Sequence, residues 1–135
     1  MTDLASELLR LADTAARRRA WSEHVELLER AARAGSGDAR MRLGTWWAEG
    51  YTVQGRTVVR RNVKRGLRAL ASAAADGVAD AAAVLGTYYH EGKIVTRDMK
   101  AAARWYRRAM ALGSEIGALN LSDLYEASGK RGLAR

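Results

Sequence analysis

Apolar and polar positions alternate with a helical period along most of the chain. Ala81, Leu85 and Tyr89 recur at i, i+4 and i+8, which puts them on one face of a short helix over Asp80–Glu91. Ala102, Trp105, Tyr106 and Ala109 make an i, i+3, i+4, i+7 stripe, which predicts a longer helix over Asp98–Leu112. Leu4, Leu8, Leu9, Leu11 and Ala12 predict an amphipathic helix near the start, and Val25, Leu27, Leu28 and Ala31 a second one ending at Gly35. Ile116–Glu126 predicts a last helix, and Ser128–Arg135 reads as a polar tail. Asp38, Asp80 and Ser114 are expected N-caps of the short helices, and Asn62 and Asp98 of the longer ones, because their side chains accept from open backbone N–H groups. Gly50 and Gly92 are expected just past the short helices, and Gly77 and Gly113 past the long ones.

These elements repeat. Leu43-Gly44, Leu85-Gly86 and Leu121-Ser122 are three Leu-small steps, and Gly35, Gly77 and Gly113 each precede their Leu by eight residues (43−35, 85−77, 121−113). Aromatic residues follow each Leu by four, at Trp47, Tyr89 and Tyr125. The first spacing is 42 residues (85−43) and the second 36 (121−85). Val58–Asn62 aligns with Ile94–Asp98, so the six-residue surplus lies in about Tyr51–Arg56. That segment is β-prone and holds a Gly at a turn position. It reads either as a small hairpin projecting from the loop or as a tolerated flexible insertion. The expected architecture is all-α: an α/α solenoid of about three helix pairs, with units near residues 3–35, 38–77 and 80–113. A helix over 116–127 would cap the open end of this single 1–135 repeat domain.

The repeated residues resemble the Sel-like repeat (SLR) family, relatives of the tetratricopeptide repeat. The third unit carries the family pattern at Ala81, Leu85, Gly86, Tyr89, Gly92, Val95, Asp98, Ala102, Trp105, Tyr106, Ala109 and Gly113. The second unit carries it at Ala39, Leu43, Gly44, Trp47, Gly50, Val59, Ala73, Ala74 and Gly77. It departs at Asn62, Gly66 and Ala69, where the family has Asp, Ala and Trp. The first pair matches only through Leu28, Ala31, Ala32 and Gly35. The resemblance implies adaptor or scaffold roles in assembling complexes. It also implies protein binding rather than catalysis, on first helices that line a concave side. Some members of the family are cysteine-rich with penicillin-related activity, and a chain with no Cys does not follow that branch.

Composition narrows the chemistry. Ala is 27 of 135 residues, Pro and Cys are absent, and no apolar run approaches the length of a membrane span. Without Cys there is no thiolate nucleophile, thiolate metal site or disulfide framework. The start of the chain lacks the basic segment and apolar core of a secretory signal, so a cytoplasmic protein is expected. The two histidines, His24 and His90, fall on different predicted helices with no ligand at i+4. Structural roles are expected for both, and no metal or other cofactor is implied. His90 beside Glu91 lacks a nucleophile or third group, so no catalytic residue is assigned and the chain reads as non-enzymatic.

Two surfaces are candidates for binding. Trp46, Tyr88 and Leu124 each lie three residues after the repeat Leu, about 60° off the core stripe. With Arg42, Glu49 and Glu91 beside them, they form a row that either docks a partner or seals the seam between neighbouring units. The second surface is basic. Net charge is +8, with 23 basic against 15 acidic residues, and 19 of the basic residues are Arg. Residues 1–36 are balanced, six against six, so residues 37–135 carry the whole excess, 17 against 9. Register makes Arg61, Lys64 and Arg68 equivalent to Arg97, Lys100 and Arg104, an expected outer ridge able to hold carboxylate or phosphate. A solvated Arg-rich face is the other reading. The expected partner is an acidic protein, which would suit an immunity or chaperone-like blocker. Nucleic acid is the alternative and self-association as a dimer a third, with no membrane involved.

Overall fold

The computed structural model describes residues 3–127 and Gly129, and it is helical almost throughout. Seven helices and one hairpin follow in order: α1 (Leu4–Arg17), α2 (Trp21–Arg33), α3 (Gly37–Glu49), β1 (Tyr51–Val53), β2 (Arg56–Val59), α4 (Val63–Ala75), α5 (Ala79–Glu91), α6 (Met99–Ala111) and α7 (Glu115–Ala127). The polar tail read over Ser128–Arg135 lies outside the described residues apart from Gly129. The chain divides into two compact units, Met1–Ala73 and Ala74–Arg135.

In the first unit α1 packs on α2 and α2 on α3. Their shared core is Leu8, Ala12, Ala15, Leu27, Leu28, Ala31, Ala39 and Leu43. Leu4 and Leu11, expected in the α1 stripe, are exposed instead, because the buried face runs through Leu8, Ala12 and Ala15 at steps of four and three. α4 approaches α3 closely at two glycines. A β-carbon on Gly44 would meet Leu70 Cγ at 2.8 Å, and one on Gly66 would meet the Ala48 amide nitrogen at 2.5 Å. The departure from the family pattern at Gly66 is therefore what admits α4 against the α3 backbone.

In the second unit α5, α6 and α7 pack against one another. Ala102, Ala103, Tyr106, Leu121 and Leu124 form the core between α6 and α7. The contacts of the first unit recur here at equivalent positions. Gly86 faces the ring of Tyr106 as Gly44 faces Leu70. The Asp98 amide donates to the Tyr89 carbonyl at 2.9 Å as the Asn62 amide donates to that of Trp47 at 2.6 Å. The repeat register read from the chain is thus a register of contacts.

Capping follows the expectation at three of five positions. Asn62, Asp98 and Ser114 accept from the amides of Arg65, Ala101 and Gly117 at 3.0–3.1 Å. Asp38 and Asp80 do not cap. Ser36 takes the first role, accepting from the Ala39 amide at 3.0 Å, and Val78, at the N-cap position of α5, offers no side-chain cap. Both acids fall one residue into the first turn of helices that begin earlier than expected, where their charge still complements the positive end of the helix.

Candidate partner-binding surface

The surplus segment is an antiparallel hairpin, with Val53 paired to Arg56 and Thr52 to Thr57. Its two-residue turn has φ +50° at Gln54 and +79° at Gly55, the left-handed geometry of a tight hairpin turn. Aromatic packing fixes it to the helices. Tyr51 stacks on Trp46 with ring centroids 4.4 Å apart and meets Trp21 edge-on at 5.5 Å. Trp46 also lies 5.1 Å from the His24 ring. His24 is buried and its Nδ1 lies 2.6 Å from the Ala12 carbonyl oxygen. Trp46 therefore anchors the hairpin to α2 and α3. Nothing in the local sequence announces this cluster, since Trp21 and Tyr51 are thirty positions apart.

The expected aromatic row does not stand open. Leu124 is 0% exposed, seated against Ala102, Ala103 and Tyr106, and Tyr88 is 6% exposed. Small residues on α6 let α7 close in, and the flank three residues after each Leu becomes packing surface. The charged companions are more accessible. Arg42 is held between Asp13 at 2.7 Å and Asp38 at 3.2 Å. Glu91 is exposed, with Lys93 at 3.6 Å. Glu49 is exposed at the end of α3 beside the hairpin.

The basic positions are all on the surface. Arg61, Lys64 and Arg68 are exposed at the start of α4, and Arg97, Lys100 and Arg104 around the start of α6. Among the described residues no acidic group pairs with Arg61, Lys64, Arg68, Lys100 or Arg104. Lys64 and Arg68, and likewise Lys100 and Arg104, are one helical turn apart on one face. Arg97 Nε donates to Met99 Sδ at 3.3 Å. Arg65, one of six basic residues in the acid-free stretch between Glu49 and Asp76, lies over the Trp47 ring at 3.7 Å, a cation–π contact that holds its guanidinium in place.

Three grooves surround the hairpin. One of about 410 Å³ is lined by Arg19, Trp21, Ser22 and the hairpin from Val53 to Val58. A second, about 520 Å³, lies between Glu49, the strand pair Thr52 and Thr57, and Arg60 and Arg61. A third, about 300 Å³, runs from Val25 and Glu29 past Trp47 to Val59, Arg61 and Arg65. Among the described residues no three or more His, Asp or Glu side chains gather as metal ligands, and no helix is long and apolar enough to cross a membrane.

In the second unit His90 Nδ1 and Thr87 Oγ1 each lie 3.2 Å from the Tyr106 hydroxyl. Burial pushes the Tyr106 phenol above its ordinary range, the bond to Thr87 acts against this, and the charge of Glu91 adds a small push upward. Tyr106 joins both histidine-side contacts and the α6–α7 core, so this is a structural network.

Comparison with solved structures places these contacts in a known fold. A protective antigen of uropathogenic Escherichia coli displaying an SLR fold superimposes with TM-score 0.79 at 24% identity, covering 92% of this chain and 26% of that one. A Sel1 repeat protein from Oxalobacter formigenes gives TM-score 0.75 at 20% identity, over 92% and 50% of the two chains. Cysteine-rich protein B of Helicobacter pylori gives TM-score 0.59 at 18% identity, over 86% and 96%. The chain thus spans about a quarter and half the length of the first two. No protein-family model and no curated protein sequence matches it. The fold is that of the SLR proteins, an α/α helical-repeat solenoid.

Proposed function

We propose that this chain is a non-enzymatic interaction module that binds an acidic protein through the exposed cations at the start of α4 and around the start of α6. The observation that carries the reading is the set Arg61, Lys64, Arg68, Lys100 and Arg104: all exposed, and none with an acidic partner among the described residues. Surface cations that lack a carboxylate of their own are available to one on another molecule, and Arg adds bidentate geometry. The SLR fold supports the reading, since helical repeats present extended surfaces to other chains. Adaptor, scaffold and blocking roles, an immunity protein among them, all begin with this step.

Parallel captures with the wild-type chain and R61E/K64E/R68E, after nuclease treatment, test it. The expected result is one discrete acidic protein retained by the wild type and lost by the variant. Recovery of nucleic acid alone before nuclease, and nothing after it, would contradict the reading. A nucleic-acid interface would also weaken steeply with salt, by one counterion-release increment per phosphate contacted.

A further inference from the structure

Among the described residues β2 pairs with β1 alone in a two-stranded sheet, so no strand lies on its other edge. The pair that closes a two-residue hairpin, here Val53 and Arg56, exchanges both ladder bonds. The next pair, Thr52 and Thr57, is then of the non-bonded kind. The N–H and C=O of Thr57 therefore point away from β1, and the residue is exposed. Natural sheets cover or blunt such an edge, and an uncovered one is a template for another strand.

The surroundings of this edge are strongly basic. The grooves around the hairpin are lined by Arg19, Arg56, Arg60, Arg61 and Arg65 against two acids, Glu29 and Glu49. They also offer apolar floor at Trp21, Val25 and Trp47. The hairpin itself is held by the Tyr51–Trp46 stack, so an added strand would meet an edge already in place.

The geometry points to the β2 edge as the seat of an extended acidic segment of the partner, added antiparallel or parallel as a third strand. This rests on the reading of the chain as a binder of acidic proteins and deepens it. The Thr57 N–H donates to a carbonyl of the segment, and the Thr57 carbonyl accepts from one of its amides. Alternate side chains of an added strand fall on opposite faces. Carboxylates on one face would meet the arginines, and apolar side chains on the other would meet the groove floor. Charge complementarity selects an acidic segment over a neutral one.

The test uses the full chain and a blocked peptide of alternating Glu and Val, about eight residues long. Single-stranded DNA of matched charge serves as the second probe. Amide exchange is read residue by residue. The expected result is that the peptide slows exchange at Thr57 by about tenfold while Thr52, whose amide faces the opposite edge, is unchanged. R56E/R60E, both exposed, should weaken the peptide by about tenfold, and R33E, exposed at the far end of α2, should leave it unaltered. Peptide binding that protects Lys64 and Arg68 or Lys100 and Arg104 without Thr57 overturns the strand edge and leaves the acidic-protein reading standing. Failure of this peptide, with the captured acidic protein still bound, does the same. Binding of the DNA alone overturns both.

Discussion

The ring of Tyr106 lies against Gly86, with Tyr106 Cε1 only 2.5 Å from where a β-carbon would sit. The ring is 1% exposed and has no flexible end to move aside. G86A should therefore destabilise the second unit by roughly 1–3 kcal/mol, since over-packing forces backbone or ring to shift. Chemical unfolding monitored by circular dichroism reads this directly. An unchanged midpoint would remove the Gly86–Tyr106 contact from the account.

The same ring gives the fold a pH dependence on the alkaline side. Its phenol titrates above its ordinary value because it is buried. A group whose pKa is raised on folding lends stability that is complete below the unfolded value, about 10 for tyrosine. That stability is lost as pH rises through the folded value. Unfolding midpoints should fall above about pH 10, and Y106F should reduce that fall. The variant should also lose about 1 kcal/mol for each hydrogen bond broken to Thr87 and His90, at neutral pH. An alkaline slope equal in Y106F and the parent would assign the titration elsewhere.

Leu85 is 2% exposed on α5. L85A leaves a cavity and should cost roughly 2–5 kcal/mol, with Leu43, its equivalent on α3, in the same range. A thermal melt of L85A that overlays the parent would remove Leu85 from the core.

Asn62 caps α4 through the Arg65 amide at 3.1 Å. N62A should cost roughly 0.5–2 kcal/mol, and N62D, the residue the family carries there, should restore it. Failure of Asp to restore stability would mean that Asn62 acts through another contact.

How much of this was legible in the chain differs from element to element. The helix pairs were, because Leu-Gly steps and terminal glycines are local features with a fixed period, and the Gly44–Leu70 and Gly86–Tyr106 contacts follow that period. The hairpin was legible only as one of two level readings, since a β-prone run with a Gly at the turn also suits a flexible insertion, and the aromatic contacts of Tyr51 that fix it come from residues distant in the chain. The fate of Trp46, Tyr88 and Leu124 was not. Helical angle places a side chain on a flank, but which neighbour covers that flank depends on residues far away. Ala102 and Ala103 cover Leu124, and Tyr51 covers Trp46. Asp38 and Asp80 misled for a different reason. A first-turn acid and an N-cap acid look alike in sequence, and Ser36 two residues before Asp38 won the cap. The exposed basic positions were legible because charge in excess of any local partner has to face solvent.

The most direct measurement of the central claim is amide exchange across the whole chain, with and without the captured acidic protein. Protection should appear over Arg60–Arg68 and the start of α6, while α1 exchanges as before. Protection confined to α1 or to the exposed face of α7 at Ile116 and Leu119, with the basic segments unchanged, would contradict the account.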